Sequence, residues 1–161
     1  QLLTFLKSAK KIVDLGSGAG LPGLVIAIAS DFNVSLVESD QKKVAFLRHI
    51  KGLLGLDVSI QAVRIENVTA KFDVITARAL APLDTLLSYA EPLLEAGGRC
   101  VFLKGESYEN EVEEAEKKWH FNISVYPSLT HKSGAIIELS EVKRNGEDKG
   151  HSNIKPKGRR R

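Results

Sequence analysis

Four glycines, one proline and one aspartate lie within ten residues, DLGSGAGLPG, from Asp14 to Gly23. This segment begins at the end of one largely apolar run, KIVDL, and is followed by another, LVIAIA. A carboxylate in an apolar run is costly unless a partner satisfies it. Clustered glycines weaken a chain unless something must approach its backbone closely. These residue types at this spacing predict a binding loop whose ligand comes close to the main chain.

The four glycines fit two ligand-binding patterns. Gly18, Gly20 and Gly23 match G-x-G-x-x-G, the fingerprint of dinucleotide-binding sites. Gly16, Gly18 and Gly20, preceded by Asp14, instead match the pattern of S-adenosylmethionine (SAM) methyltransferases. Spacing alone therefore indicates a nucleoside ligand without choosing between the two.

The charge of the ligand separates these alternatives. Glu38, at the end of the second predicted strand, can hold ribose hydroxyls in either case. A pyrophosphate needs a helix N-terminus without a nearby anion, whereas SAM carries a sulfonium and an ammonium. Asp14 at the lip of the loop would repel the first ligand and favour the second, directly or by bracing the loop, and Pro22 removes one backbone donor. We therefore expect SAM, while a loop in which Asp14 only accepts hydrogen bonds from the loop's own amides stays open.

The segments around this loop must position it, and their patterns alternate between short strands and longer helices, as in parallel βαβ units. Strands are predicted at 11–15, 34–38, 58–63, 72–77, 99–104, 121–127 and 135–142, and helices from Pro22 and at 41–54, 82–94 and 109–119. In the second helix we expect Asp40 as N-cap, Gly55 as C-terminal glycine, and Val44, Leu47 and Leu54 toward the core. The last two strands follow each other without a helix, which predicts an antiparallel hairpin at one edge of the sheet.

Composition and charge limit the remaining choices. A chain of 161 residues that is 43% hydrophobic fits one domain, at 1–142, followed by a basic tail at 143–161 with a net charge of +6. That tail indicates either a polyanionic partner or a solvated, disordered end. No secretory signal or membrane-spanning run of about 18 apolar residues is present, so we expect a cytoplasmic monomer. Because the chain has no Met, we also expect the natural N-terminal segment to be missing.

The sequence gives little indication of a metal site or of a cysteine nucleophile. Cys100 is the single cysteine and lies in the apolar run CVFL, which predicts a core position. His49 and His131 have no partners at metal-ligand spacing. We therefore expect no metal and no cysteine nucleophile.

Five segments in order carry a more specific signal: DLGSGAGLPG, ESDQKKVAFL, RIENV, FDVITARALAPL and LKG. With them, residues 1–142 resemble the bacterial 16S ribosomal RNA guanine-N7 methyltransferase family, RsmG or GidB. The resemblance implies a Rossmann-like class I SAM-dependent methyltransferase fold, in the α/β class. Its mostly parallel, seven-stranded sheet would end in an antiparallel hairpin strand and carry helices on both faces.

The same resemblance assigns roles by position. Gly16 and Leu21 would contact SAM in the loop, and Ile65 and Glu66 would border the adenine. Arg78 would reach toward the methionine end or the target base. Two simpler readings remain: Glu66 as a surface carboxylate and Arg78 as part of a structural ion pair.

The resemblance also implies the reaction, transfer of a methyl group from SAM to N7 of a guanine in 16S ribosomal RNA of the small subunit or its assembly intermediate. Guanine N7 carries a lone pair and no proton, so no general base is required, and orientation can supply most of the acceleration. The chain also lacks the Pro-Pro segment common in amino-group methylation of adenine. Among the basic residues, Lys104 in LKG is the best-placed candidate to grip RNA phosphates beside Arg78, and Lys42 and Lys43 can join it.

Two alternative functions share these features. One is a SAM-dependent methyltransferase of another substrate, and the other is a SAM- or RNA-binding module without turnover, since fold alone does not establish catalysis.

Overall fold

The computed structural model describes residues 1–146, which form one seven-stranded sheet with helices packed on both faces. The strands are β1 (Lys11–Leu15), β2 (Asn33–Val37), β3 (Val58–Gln61), β4 (Phe72–Arg78), β5 (Leu94–Lys104), β6 (Trp119–Pro127) and β7 (Ala135–Arg144). The helices are α1 (Gly23–Ile28), α2 (Gln41–Leu54), α3 (Leu83–Ala90) and α4 (Tyr108–Glu116). Short 3₁₀ turns lie at Leu2–Phe5, Ile65–Asn67 and Glu91–Leu93.

The strand order is β3-β2-β1-β4-β5-β7-β6. Strands β1 to β5 pair in parallel, and β7 pairs antiparallel with both β5 and β6. The predicted α/β fold with an antiparallel C-terminal hairpin is therefore confirmed. The chain order reverses between β1 and β4, and in open α/β sheets ligands bind at such a point, beyond the carboxyl ends of the strands.

Side chains alternate between the two faces along each strand, and each face has its own apolar core. Val13 and Leu15 of β1 pack in the cluster that contains the buried residues of α3 and α4. Ile12 packs in the cluster that contains Leu24 and Ile26 of α1 and Leu47 of α2. The helices thus cover both faces, and Cys100 is fully buried in β5, as predicted.

Helix α2 has both of its predicted end residues, but its last turn packs differently from the prediction. Asp40 Oδ1 accepts hydrogen bonds from the amides of Lys42 and Lys43, and Gly55 adopts the left-handed conformation after the last turn. The core position expected for Leu54 is wrong, because Leu54 is 51% exposed. The inward positions after Leu47 belong to Ile50, which packs against the core, and to Lys51, whose ammonium donates to the carbonyl of Val58 at 2.7 Å.

Strand β5 begins earlier than predicted. The strand predicted at 99–104 follows Gly97 and Gly98, a pair typical of a turn, but pairing with β4 already starts at Leu94. The register shifts between Phe72 and Val74, so the glycines form an irregularity inside the strand. A Cβ on Gly98 would lie 3.1 Å from the carbonyl oxygens of Phe72 and Asp73, so a side chain here would need the backbone of β4 to move by a few tenths of an ångström.

The predicted tail starts two residues too early. Lys143 and Arg144 belong to β7 and pair with His120 and Trp119 of β6. The rest of the predicted tail, from residue 147, lies outside the described residues. Among residues 1–146, no helix is long and apolar enough to cross a membrane.

Candidate functional site

The loop between β1 and α1 lies at the point where strand order reverses. Gly16, Gly18 and Gly20 have φ values of 64°, 56° and 87°, a region that side chains other than glycine rarely adopt. The amide of Ser17 donates to the carbonyl of Val37 at 3.0 Å, which joins the loop to β2. Helix α1 begins at Gly23, one residue after the predicted Pro22.

Asp14 lies beneath this loop and not at its lip. Its side chain is fully buried. One carboxylate oxygen accepts from the amide of Gly23 at 3.1 Å, and the other accepts from the hydroxyl of Thr76 at 3.0 Å. Asp14 therefore braces the loop and has no surface with which to contact a ligand. Of the two routes by which it was expected to favour SAM, the geometry supports only the indirect one.

Burial also changes the acidity of this group. It raises the pKa of Asp14 to about 6, although hydrogen bonds from Thr76 and Gly23 act in the opposite direction. Desolvation disfavours the charged form, and donors to the carboxylate favour it. At neutral pH the carboxylate is mainly ionised, which leaves a negative charge under the glycine loop.

Glu38 holds the loop from the side of β2. It follows that strand directly, is 8% exposed, and accepts from the amide of Gly18 at 2.9 Å and from the amide of Asp40 at 2.8 Å, with one oxygen to each. A carboxylate oxygen has a second lone-pair direction. Glu38 can therefore brace the loop and still accept from the hydroxyls of a ribose.

The three loop glycines are not equivalent. A Cβ on Gly16 would meet Leu80 at 2.6 Å, and one on Gly20 would meet Leu24 at 2.2 Å. A Cβ on Gly18 would have only the carbonyl oxygen of Gly16 within 4 Å, at 3.8 Å. The surface at Gly18 is therefore open, directly above the Glu38 carboxylate. An open backbone cradle over a ribose-binding acid fits an adenosyl ligand such as SAM.

Ile65 and Glu66 lie in the 3₁₀ turn after β3. Ile65 is half-buried against the core, and Glu66 is exposed. Both line a small cavity of about 240 Å³ against α3 and the turn that follows it. Among the described residues no hydrogen bond joins either side chain to the glycine loop, so their contact with adenine stays a prediction.

A larger cavity of about 870 Å³ lies beside the glycine loop. Its lining includes residues 78–82, which begin at the last residue of β4. It also includes the end of β5, residues of α1 and the connection between β6 and β7. Arg78 is the last residue of β4 and is exposed, and within residues 1–146 it forms no salt bridge. The structural ion pair considered for it is absent there. Leu80 lines the cavity and also covers Gly16, so loop and cavity share one wall.

Lys104 does not occupy the position expected of a phosphate-binding lysine. Its side chain is 7% exposed, and its ammonium lies 2.5 Å from a Glu111 carboxylate oxygen and 2.9 Å from the Ala81 carbonyl oxygen. The ammonium is therefore part of the cavity wall. Lys42 and Lys43 are exposed and have no salt-bridge partner in the described part of the chain.

Three residues of this site escaped the sequence analysis. Thr76 lies opposite Asp14 in the pairing of β1 with β4, and a polar residue inside the otherwise apolar run VITA was the available signal for it. Leu80 and Glu111 gave no signal, because a leucine in a loop and a glutamate in a charged helix are ordinary. Their roles depend on contacts across the fold.

The fold is shared with solved structures that include methyltransferases. The ribosomal protein L11 methylase of Lactobacillus delbrueckii subsp. bulgaricus has a TM-score of 0.69 and 19% identity, with 89% of this chain and 74% of that chain covered. A TehB-like SAM-dependent methyltransferase of Corynebacterium glutamicum has a TM-score of 0.66 and 18% identity, with coverages of 88% and 85%.

Sequence comparison identifies the family. The model described as rRNA small subunit methyltransferase G (GidB) matches residues 1–139. "Ribosomal RNA small subunit methyltransferase G" of Gluconobacter oxydans is 48% identical over 145 residues, which cover 89% of this chain and 75% of that protein. The protein of the same name from Paramagnetospirillum magneticum is 48% identical over 146 residues, with coverages of 89% and 71%. The chain belongs to the rRNA small subunit methyltransferase G family, which confirms the resemblance found in its sequence.

We predict that Gly18→Ala abolishes SAM binding without unfolding the protein. The added methyl group enters the open cradle, and the left-handed backbone costs about 1 kcal/mol. Gly55→Ala is the matched control, because Gly55 is also left-handed (φ 62°) and open around its Cβ, but lies after α2. Calorimetry with SAM should detect binding to the control only, while the two variants lose similar stability in urea. Equal SAM affinities would contradict the assignment of the cradle.

We predict that Asp14→Asn makes stability less sensitive to pH. Burial raises the pKa of Asp14 to about 6 from its ordinary value of 3.8. Asp14 thus stabilises the fold most below pH 4, and this contribution is lost as the pH rises to 6 and beyond. The stability of Asp14→Asn relative to the wild type should therefore rise by about 2–3 kcal/mol between pH 4 and pH 7. Urea unfolding at a series of pH values measures this difference, and a difference that is constant with pH would contradict it.

Proposed function

We propose that this protein transfers the methyl group of SAM to N7 of a guanine in 16S ribosomal RNA of the small subunit. The observation that carries the proposal is the open Gly18 cradle above Glu38, adjoining the cavity that contains Arg78. Membership of a family of small-subunit ribosomal RNA methyltransferases supports the choice of substrate. N7 as the target atom rests on the family resemblance.

The donor side of the site consists of the glycine loop and its two carboxylates. SAM supplies a methyl group already activated by its sulfonium. Glu38 would accept from the ribose hydroxyls while it holds Gly18, and Ile65 and Glu66 would border the adenine. Asp14 would contribute a buried negative charge below the loop, which favours a cationic ligand over a diphosphate.

The acceptor side is the 870 Å³ cavity, whose volume lies within the range of about 300–1,000 Å³ usual for small-ligand pockets. Arg78 would orient the target base or the methionine end, since its guanidinium offers five donors and has no carboxylate partner within residues 1–146. Guanine N7 attacks through a lone pair, so these residues need to orient the base and need not remove a proton.

RNA outside the cavity would be held at the start of α2. That helix carries four basic residues and no acidic one. Glu38 accepts from the amide of Asp40, and Asp40 caps the helix at Lys42 and Lys43, so the exposed lysines are joined to the donor site by a short series of hydrogen bonds. Phosphates bound here would lie beside the site of methyl transfer.

The direct test uses small subunits from a strain that lacks this gene. Incubation with labelled SAM should place label on one guanine of 16S ribosomal RNA, and mass spectrometry of the digested RNA should identify 7-methylguanosine. Arg78→Ala should lower kcat/KM by about 10- to 100-fold through loss of charge-assisted hydrogen bonds, whereas Arg64→Ala, an exposed arginine after β3, should not. Binding of SAM without transfer would indicate a non-catalytic module, and label in another molecule or atom would indicate another substrate.

We further predict that Lys42→Ala/Lys43→Ala weakens RNA binding through two lost phosphate contacts. The slope of log K against log salt concentration should become less steep by about 1.4 to 1.8, at 0.7 to 0.9 per contact. SAM affinity should not change. The matched control is Lys7→Ala/Lys10→Ala, which removes two exposed lysines. They precede β1 and so lie near the amino ends of the parallel strands, away from the site. An equal change of slope in both double variants would contradict a specific role for α2.

A further inference from the structure

An ion pair with little exposure to solvent lies in the wall of the acceptor cavity. The Lys104 side chain is 7% exposed and that of Glu111 is 22% exposed, and their charged atoms lie 2.5 Å apart. Lys104 comes from the end of β5, and Glu111 comes from the first half of α4. Keeping two charged groups this far from solvent is costly unless their hydrogen-bonding capacity is met.

Both members of the pair also bind the backbone where α3 begins. The Lys104 ammonium donates to the Ala81 carbonyl at 2.9 Å, and the Glu111 carboxylate accepts from the Leu83 amide at 2.9 Å. Pro82, between them, has no N–H and supplies no side-chain cap to the helix. Glu111 therefore takes the place of an N-cap for α3, and Lys104 holds Glu111 and the residue before Pro82.

The segment that precedes α3 depends on this contact. Strand pairing of β4 with β5 ends at Arg78. Within the described part of the chain, the bond from Lys104 to Ala81 is the one hydrogen bond that the backbone of residues 79–81 makes. Ala79 has φ 50°, a conformation that costs about 1 kcal/mol or more for a residue other than glycine and persists only when the surroundings enforce it.

Leu80 of this segment and Arg78, directly before it, are the two side chains that separate the donor and acceptor sides. Arg78 lines the cavity, and Leu80 covers Gly16 of the glycine loop. A shift of about 1 Å in the position of these side chains would change the geometry of both the donor and the acceptor side. Methyl transfer would then slow, because it depends on alignment of the reacting atoms.

We propose that Lys104 and Glu111 are positioning residues that fix residues 79–82, and through them Leu80 and Arg78, for methyl transfer. The proposal rests on the proposed function. It replaces the prediction that Lys104 grips an RNA phosphate, since two of the three ammonium donors are directed to Glu111 and Ala81.

Three variants test it: Lys104→Met, Glu111→Gln and the two combined. Each single change should lower kcat by about 10- to 100-fold, and the double variant should be no worse than the poorer single one, because the pair acts as a unit. The salt dependence of RNA binding should stay that of the wild type. Lys117→Met and Glu114→Gln are matched controls, since they make the same changes in an exposed pair at the other end of α4 and should leave kcat unchanged.

A phosphate contact would give a different result. Lys104→Met would then make the salt slope less steep by about 0.7 to 0.9, and Glu111→Gln would bind RNA as well as the wild type or better. That outcome overturns the proposal, and so do two single variants that behave like their controls. If Lys104→Met does not fold, Lys104→Arg keeps the charge but not the geometry. It should be slow if Lys104 positions the segment, and as active as the wild type if it binds phosphate.

A readout without RNA separates this proposal from the proposed function. Hydrogen exchange of the Leu83 amide should be faster in Lys104→Met and Glu111→Gln than in the wild type and the controls. A wild-type protein that does not methylate 16S ribosomal RNA would refute the proposed function and leave this measurement valid. Unchanged exchange at Leu83 would refute the positioning role even if the wild type is active.

Discussion

The buried carboxylate of Asp14 is the interaction on which the rest of the site depends. It joins the end of β1 to the first residue of α1 through Gly23, and to β4 through Thr76. This contact requires the helix to approach the strand closely: a Cβ on Gly23 would lie 2.3 Å from Leu36 and 2.8 Å from the carboxylate itself. Asp14 and Gly23 are therefore one requirement, met by two residues nine positions apart.

The charge of that brace also restricts which ligands the loop accepts. Asp14 and Glu38 are 0% and 8% exposed, so solvent ions screen them less than they would screen surface charges. Both direct their hydrogen bonds to the backbone of the glycine-rich segment, one from below and one from the side of β2. The amides of Gly18 and Gly23, which a diphosphate could otherwise use, are thus already paired with carboxylates, and the site is better suited to a ligand that carries positive charge.

Local signals allowed much of this fold to be predicted, and contacts between distant segments explain what was missed. Asp40 and Gly55 were identified as helix ends because capping depends on neighbouring residues. Leu54 and Lys104 were misjudged because burial depends on partners elsewhere. Nothing near Lys104 in the sequence indicates that a glutamate from α4 will enclose its ammonium. Likewise, Gly97 and Gly98 are typical of a turn, and only the neighbouring β4 reveals that the strand continues through them.

The same distinction applies to the charges of the site. For Asp14 the sequence left two roles open, ligand contact and internal brace, and the partners Thr76 and Gly23 account for both carboxylate oxygens. Buried charges here are satisfied by the fold and shape the backbone, as in the pair of Lys104 and Glu111. Arg78 and the two lysines that open α2 have no carboxylate partner within residues 1–146, and all three are exposed. An anionic floor under the loop is therefore compatible with a polyanionic substrate, because the substrate would meet the exposed cations while the carboxylates remain paired beneath the surface.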